Sequence, residues 1–177
     1  MVQDSKTSEM NAVLRAAEAM CAAARTAPKG KGVDYIDTLI LTGEDIEKLA
    51  ATSQQIGEET GAAFFVRDAG NLRASQAVVL IGVGYQTRGL NEICGLCNFE
   101  NCAKCAEAGA VCVHAPMDLG IAIGSAVSVA ADMRMDNRVM FSAGQSAMKL
   151  KLFAPSIKCV IAIPLSVSGK SPYFDRK

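Results

Sequence analysis

The chain of 177 residues has no tryptophan, a single histidine and only 5% aromatic residues. It has no excess of either charge, because Lys plus Arg number 18 and Asp plus Glu number 18. A balanced chain projects no field that would gather polyanions, so neither nucleic acid nor a membrane surface is an expected partner. Long apolar runs are also missing. The longest, Leu119 to Ala131, is too short to cross a bilayer and is interrupted by Gly120, Gly124, Ser125 and Ser128. Met1 to Thr7 lack a basic stretch leading into an apolar one, so no secretory signal is expected. No internal repeat or low-complexity linker divides the chain. No general acid and base pair, nucleophile triad or intact phosphate loop stands out. The expectation is one cytoplasmic domain over residues 1–177, with a composition 50% hydrophobic that can build a sizeable core.

What the chain does have is cysteine, seven in all, of which Cys94, Cys97, Cys102, Cys105 and Cys112 fall within nineteen residues. Cys21 and Cys159 stand alone in apolar stretches and read as small core residues. A disulfide framework does not suit the cluster, because its cysteines are odd in number and a core of this size needs no staples. The cluster reads as a ligand set instead. Gly95 permits a tight turn that points the sulfurs of Cys94 and Cys97 to one side, toward a soft metal centre.

Spacing discriminates between metals. Structural zinc sites bring together two cysteine pairs separated by about a dozen residues or more. Here the second pair follows almost at once. An iron–sulfur cluster is larger than one ion and accepts three ligands from one winding loop with a fourth from the next turn of chain. Cys94, Cys97 and Cys102 are the expected loop ligands. Cys112 is the expected fourth, returning after the Gly109 turn, and Cys105, beside Cys102 on a short helix over residues 102–108, is the alternative. A structural zinc site that shapes a partner-binding surface is the rival reading. His114, two residues after Cys112, reads as a neighbour of the site, since four thiolates already suffice.

Hydrophobic periodicity places the scaffold. Met10, Val13, Leu14, Ala17, Met20, Cys21 and Ala24 recur at helical spacing over Ser8–Ala27. Residues Ala27 to Gly32 form a glycine-lysine loop, read as a solvated turn with phosphate binding as the sharper alternative. A strand is predicted over Tyr35–Thr42, a helix over Gly43–Glu59, a polar turn over Arg67–Asn71 and a doubly buried strand over Gln76–Gly82. After the cysteines come a helix from Pro116 to Met133, a short strand at Val139–Phe141, a helix over Gln145–Phe153 and a strand over Lys158–Leu165. Gly120, Gly124 and Ser128 line one side of the long helix, where they would admit another helix, a cofactor or a second subunit. The tail from Ser168 is expected to lie over a neighbouring subunit.

Two resemblances follow. Cys94-Gly95-Leu96-Cys97-Asn98-Phe99-Glu100-Asn101-Cys102 resembles the opening of a four-iron, four-sulfur domain of anaerobic electron-transfer proteins, with Asn98 where glycine is usual. With Asp118 to Val127 and Asp136 to Met140, it resembles the uncharacterised ferredoxin-domain-containing proteins of anaerobic bacteria and archaea. The first helix, the small-residue helix and the terminal Val160-Ile161-Ala162-Ile163-Pro164-Leu165 are similar to the nitroreductase fold. The resemblances imply an α+β, nitroreductase-like layered sheet-and-helix domain with a cysteine-rich, ferredoxin-like insertion at about residues 90–115. They also imply a homodimer and electron transfer to a redox partner protein, or an oxidoreductase with an accessory cluster and FMN. The arginine-rich phosphate clamp of that fold is absent, because Arg15 and Arg25 lie too far along the first helix.

Overall fold

The computed structural model describes residues 2–174; Met1 and residues 175–177, the end of the tail, lie outside them. Helix α1 (Ser5–Thr26) begins where Asp4 accepts the backbone N–H of Thr7 at 2.8 Å, satisfying one of the free donors of the first turn. It ends at Ala27, ahead of Pro28, whose ring cannot continue it. Strand β1 (Ile36–Leu41) leads through Gly43 to α2 (Glu44–Thr60), whose first turn carries Glu44, Asp45 and Glu47 against the positive end of the helix dipole. Helix α3 (Ala63–Arg73) and strand β2 (Ala77–Gly84) follow. Beyond the cysteine segment, with its short α4 (Cys102–Glu107), the chain builds α5 (His114–Asp132), β3 (Asp136–Asn137), α6 (Phe141–Lys149) and β4 (Ile157–Ser166).

The four strands form one antiparallel sheet in the order β1-β2-β4-β3. Because side chains alternate across a strand, β2 sends Ala77, Val79, Ile81 and Val83 into the core beneath α1 and α5. It sends Val78 and Leu80 into a second core beneath α2, α3 and α6. Helices on both faces explain why every residue of β2 is buried, so that the strand reads as one apolar run although its pairing is antiparallel. Burying side chains such as Leu49, Leu72 and Leu80 completely is worth about 1.5–3 kcal/mol each. Gly144 lets α6 lie against the Val160 carbonyl, where any Cβ would collide.

Several expectations need correction. Residues 67–71 lie inside α3 instead of forming a turn. Phe65, Ala69 and Leu72 recur at helical spacing and are buried, which outweighs the roughly 1 kcal/mol that Gly70 costs within a helix. Helix α6 starts at Phe141 and stops before Phe153, and the short strand lies at Asp136–Asn137, with a single bridge from Met140 to Ala162 beside it. Among the described residues no helix packs on Gly120 or Gly124: both are exposed, and a Cβ on either would meet nothing within 4 Å. Within the described part of the tail, Tyr173 is buried in its own chain with its hydroxyl 2.9 Å from Ser75 Oγ, while Phe174 stays exposed. Among the described residues no helix is long and apolar enough to cross a membrane.

Candidate metal centre

The segment between β2 and α5 holds all five clustered cysteines and owes its path to a few backbone positions. Gly95 (φ 60°) and Asn98 (φ 62°) both adopt the left-handed conformation, and Asn98 N–H donates to the Gly95 carbonyl at 3.1 Å. Asparagine is the residue besides glycine that visits this region readily, so Asn98 can stand where glycine is usual. Asn101 caps α4 by accepting the Lys104 N–H at 3.0 Å, which places Cys102 at the first helical position. Gly109 (φ 63°) then turns the chain back toward Cys112.

Cys94, Cys97, Cys102 and Cys112 line one cleft together with Arg88, Asn91, Phe99 and His114, among others. The cleft is narrow, with an enclosed volume of about 20 Å³. Cys105 is absent from that lining. It is fully buried on the inner side of α4, and its Sγ approaches the Ala110 carbonyl at 3.7 Å. Burial, and then the neighbouring Cys97, Cys112 and Cys102, push the Cys105 thiol above its ordinary value. The four lining sulfurs border the cleft without converging: among the described residues no three His, Cys, Asp or Glu side chains gather at one ion-sized point.

Two polar groups of the wall face sulfur. The backbone N–H of Asn91 donates to Cys102 Sγ at 3.3 Å, and His114 Nε2 lies 3.6 Å from Cys94 Sγ. The imidazole rests on Gly30, where a Cβ would come within 3.0 Å of Nδ1. Cys21 and Cys159 lie away from the cleft, packed at the edge of the α1/α5 core, where burial raises both thiols. A raised pKa keeps a thiol protonated and unreactive, in keeping with a packing role.

One part of the site has no signal in residue spacing. Arg88, on the cleft wall, donates from Nε and Nη2 to Asp118 Oδ2 at 3.0 and 2.7 Å. Its guanidinium also lies 4.7 Å from the centre of the Tyr35 ring and donates to the Gln86 carbonyl. The other oxygen of Asp118 accepts the Gly30 N–H at 2.8 Å. The glycine-lysine loop is thus a fixed turn rather than a phosphate cradle. Lys29 Nζ points into the carbonyls of Ala24, Arg25 and Ala27, and Lys31 donates to the Gly89 carbonyl at 3.0 Å.

Fold and comparison agree on the class. A nitroreductase with bound FMN from Desulfitobacterium hafniense superposes with a TM-score of 0.60 at 12% identity, over 96% of this chain and 81% of that one. A nitroreductase family protein from Clostridium novyi NT gives 0.56 at 15%, over 94% and 76%. The architecture is therefore the nitroreductase fold carrying a cysteine-rich segment. Residues 108–176 match the model of a family described as "Uncharacterized protein containing a ferredoxin domain". An uncharacterized protein of Archaeoglobus fulgidus is 42% identical over 99% of this chain and 98% of its own length. The chain belongs to this family of ferredoxin-domain proteins.

Proposed function

We propose that the protein is an iron–sulfur protein that holds a four-iron, four-sulfur cluster on Cys94, Cys97, Cys102 and Cys112 and passes electrons to or from a redox partner. The observation that carries this reading is the partition of the five clustered cysteines: four line one cleft, and Cys105 is buried behind it, beside Cys97 and the Ala110 carbonyl. The donor set fits the group, since thiolates are the usual ligands of such clusters. When bound, the cluster supplies one-electron chemistry. The chain supplies the setting. The Asn91 N–H aims at one ligand sulfur, and His114 stands beside another. Hydrogen bonds to sulfur favour added negative charge and so raise a reduction potential.

The same reading includes a homodimer formed through α5. That helix carries only Asp118 and Asp132 as charged residues, and it leaves Met117, Gly120, Ile121, Gly124 and Ser128 exposed. A helix apolar on all sides is normally covered on all sides. FMN fits the chain poorly. Arg25 is committed to Asp34 and to the Ile36 carbonyl at 2.8 Å each, and Lys29 to the end of α1.

Iron and acid-labile sulfide analysis of protein never exposed to air tests the proposal. A brown protein whose broad visible absorption bleaches with dithionite supports it. A colourless protein with one zinc would establish the structural alternative, and a yellow chromophore released by acid would establish a flavin.

A further inference from the structure

We propose that a second cleft, between the end of α6 and the start of β4, binds a small apolar carboxylate such as an arylalkanoic acid. The cleft has a volume of about 360 Å³, within the range usual for small-molecule sites. It shares no lining residue with the cysteine cleft and does not depend on the metal reading.

Met148, Phe153 and Ile157 provide its apolar surface, continuous with the core beneath α2, α3 and α6. Gly82 makes room for this surface, because a Cβ there would run into Ile157 at 2.6 Å and lie 3.5 Å from Phe153. Lys151 and Lys158 complete the lining, with no acidic residue. Both lysines are exposed, and among the described residues neither forms a salt bridge. Apolar walls with a few convergent charged groups let burial supply affinity and charge fix orientation. A bare phosphate would leave the walls uncovered, and a neutral hydrocarbon would leave the lysines unanswered. An apolar body bearing one carboxylate satisfies both.

Lys151 occupies an unusual position. It is the left-handed residue (φ 55°) that closes α6, with Leu152 N–H donating to the Ala147 carbonyl at 3.2 Å and Lys151 N–H to Met148 at 3.0 Å. Glycine is the common residue at such a position. A cation there also complements the helix dipole, but Lys158, the second residue of β4, has no helix end to answer to. The two lysines share the cleft, not a secondary-structure role.

The test is a titration of the anaerobically prepared, 15N-labelled full chain with 3-phenylpropionate, followed by amide chemical shifts. 3-Phenylpropan-1-ol and inorganic phosphate serve as controls. Saturable shifts confined to residues 148–158 are expected, with the neutral alcohol binding about tenfold more weakly for want of the charged hydrogen bonds. Lys158→Met should weaken binding by about the same factor. Lys151→Gly should weaken it too while keeping or raising the melting temperature, because glycine adopts the backbone conformation freely. That variant separates loss of binding from loss of folding. No saturable shift with 3-phenylpropionate, equal binding of the alcohol or of phosphate, or undiminished binding by both variants would each overturn the proposal.

Discussion

Arg88 and Asp118 form a salt bridge at 2.7 Å with side chains only 1% and 3% exposed, one just before the clustered cysteines and the other just after them. The pair joins the two ends of the cysteine segment to each other and, through the Gly30 N–H, to the turn after α1. A buried pair of this kind is weak evidence of net stability, because desolvation offsets attraction. What it does is tether both ends of the segment to fixed partners.

Breaking the pair from one side strands a buried charge. Arg88→Met or Asp118→Leu alone should therefore destabilise the protein by about 3–5 kcal/mol in urea unfolding. The double variant should recover much of that loss, because two apolar groups leave no charge behind. Strictly additive losses would show that the two side chains act independently.

Serine at Cys94, Cys97, Cys102 or Cys112 should lower iron content sharply in protein prepared without air. Serine at Cys21, Cys159 or Cys105 should leave it unchanged. Cys105 is the sharpest case, since it lies among the others but faces Ala110. Loss of iron in Cys105→Ser with retention in Cys112→Ser would reverse the proposed ligand set.

Metal removal should act locally. Both cores are packed by residues outside the cysteine segment, with α1 and α5 on one face of the sheet and α2, α3 and α6 on the other. Ligand binding stabilises what it orders. After chelation, protease cuts should fall between about Leu90 and Ala115 while the remaining chain resists. Global digestion would show that the cores themselves depend on the metal.

Light scattering at micromolar protein should give about twice the 18.6 kDa chain mass. Gly124→Lys should return the protein to a monomer without unfolding it, because a Cβ at that position meets nothing within the chain. A wild-type monomer, or a dimer indifferent to this substitution, would remove α5 as the interface.

Tyr173 carries a pH dependence. Burial holds its phenol well above the ordinary tyrosine range, with Ser75 acting in the opposite sense. Below pH of about 10 the folded and unfolded chains are both protonated there, and the residue's contribution is fully present. Above that the unfolded chain loses the proton first, so stability falls as pH rises, by up to about 1.4 kcal/mol per pH unit. Tyr173→Phe should remove this slope. Urea midpoints compared between the two proteins from pH 9 to 11 measure it, and parallel curves would place the phenol in solvent.

Local chemistry carried much of the result. The spacing of Cys94, Cys97 and Cys102 and the turns at Gly95 and Gly109 mark a ligand loop because they act over a few residues. Strands β1, β2 and β4 and helices α1, α2 and α5 follow from apolar periodicity, which is also local. Helix α3 was hidden because Gly70 and Asn71 carry the signature of a turn, and only burial of Phe65, Ala69 and Leu72 against the sheet decides for helix. Tertiary structure alone decided the remainder. Nothing in spacing pairs Arg88 with Asp118, buries Cys105 behind the cleft that the other four cysteines line, or brings Lys151 and Lys158 to one cleft. Those relationships depend on where distant segments come to rest once the sheet is covered on both faces, and a linear pattern does not encode that distance.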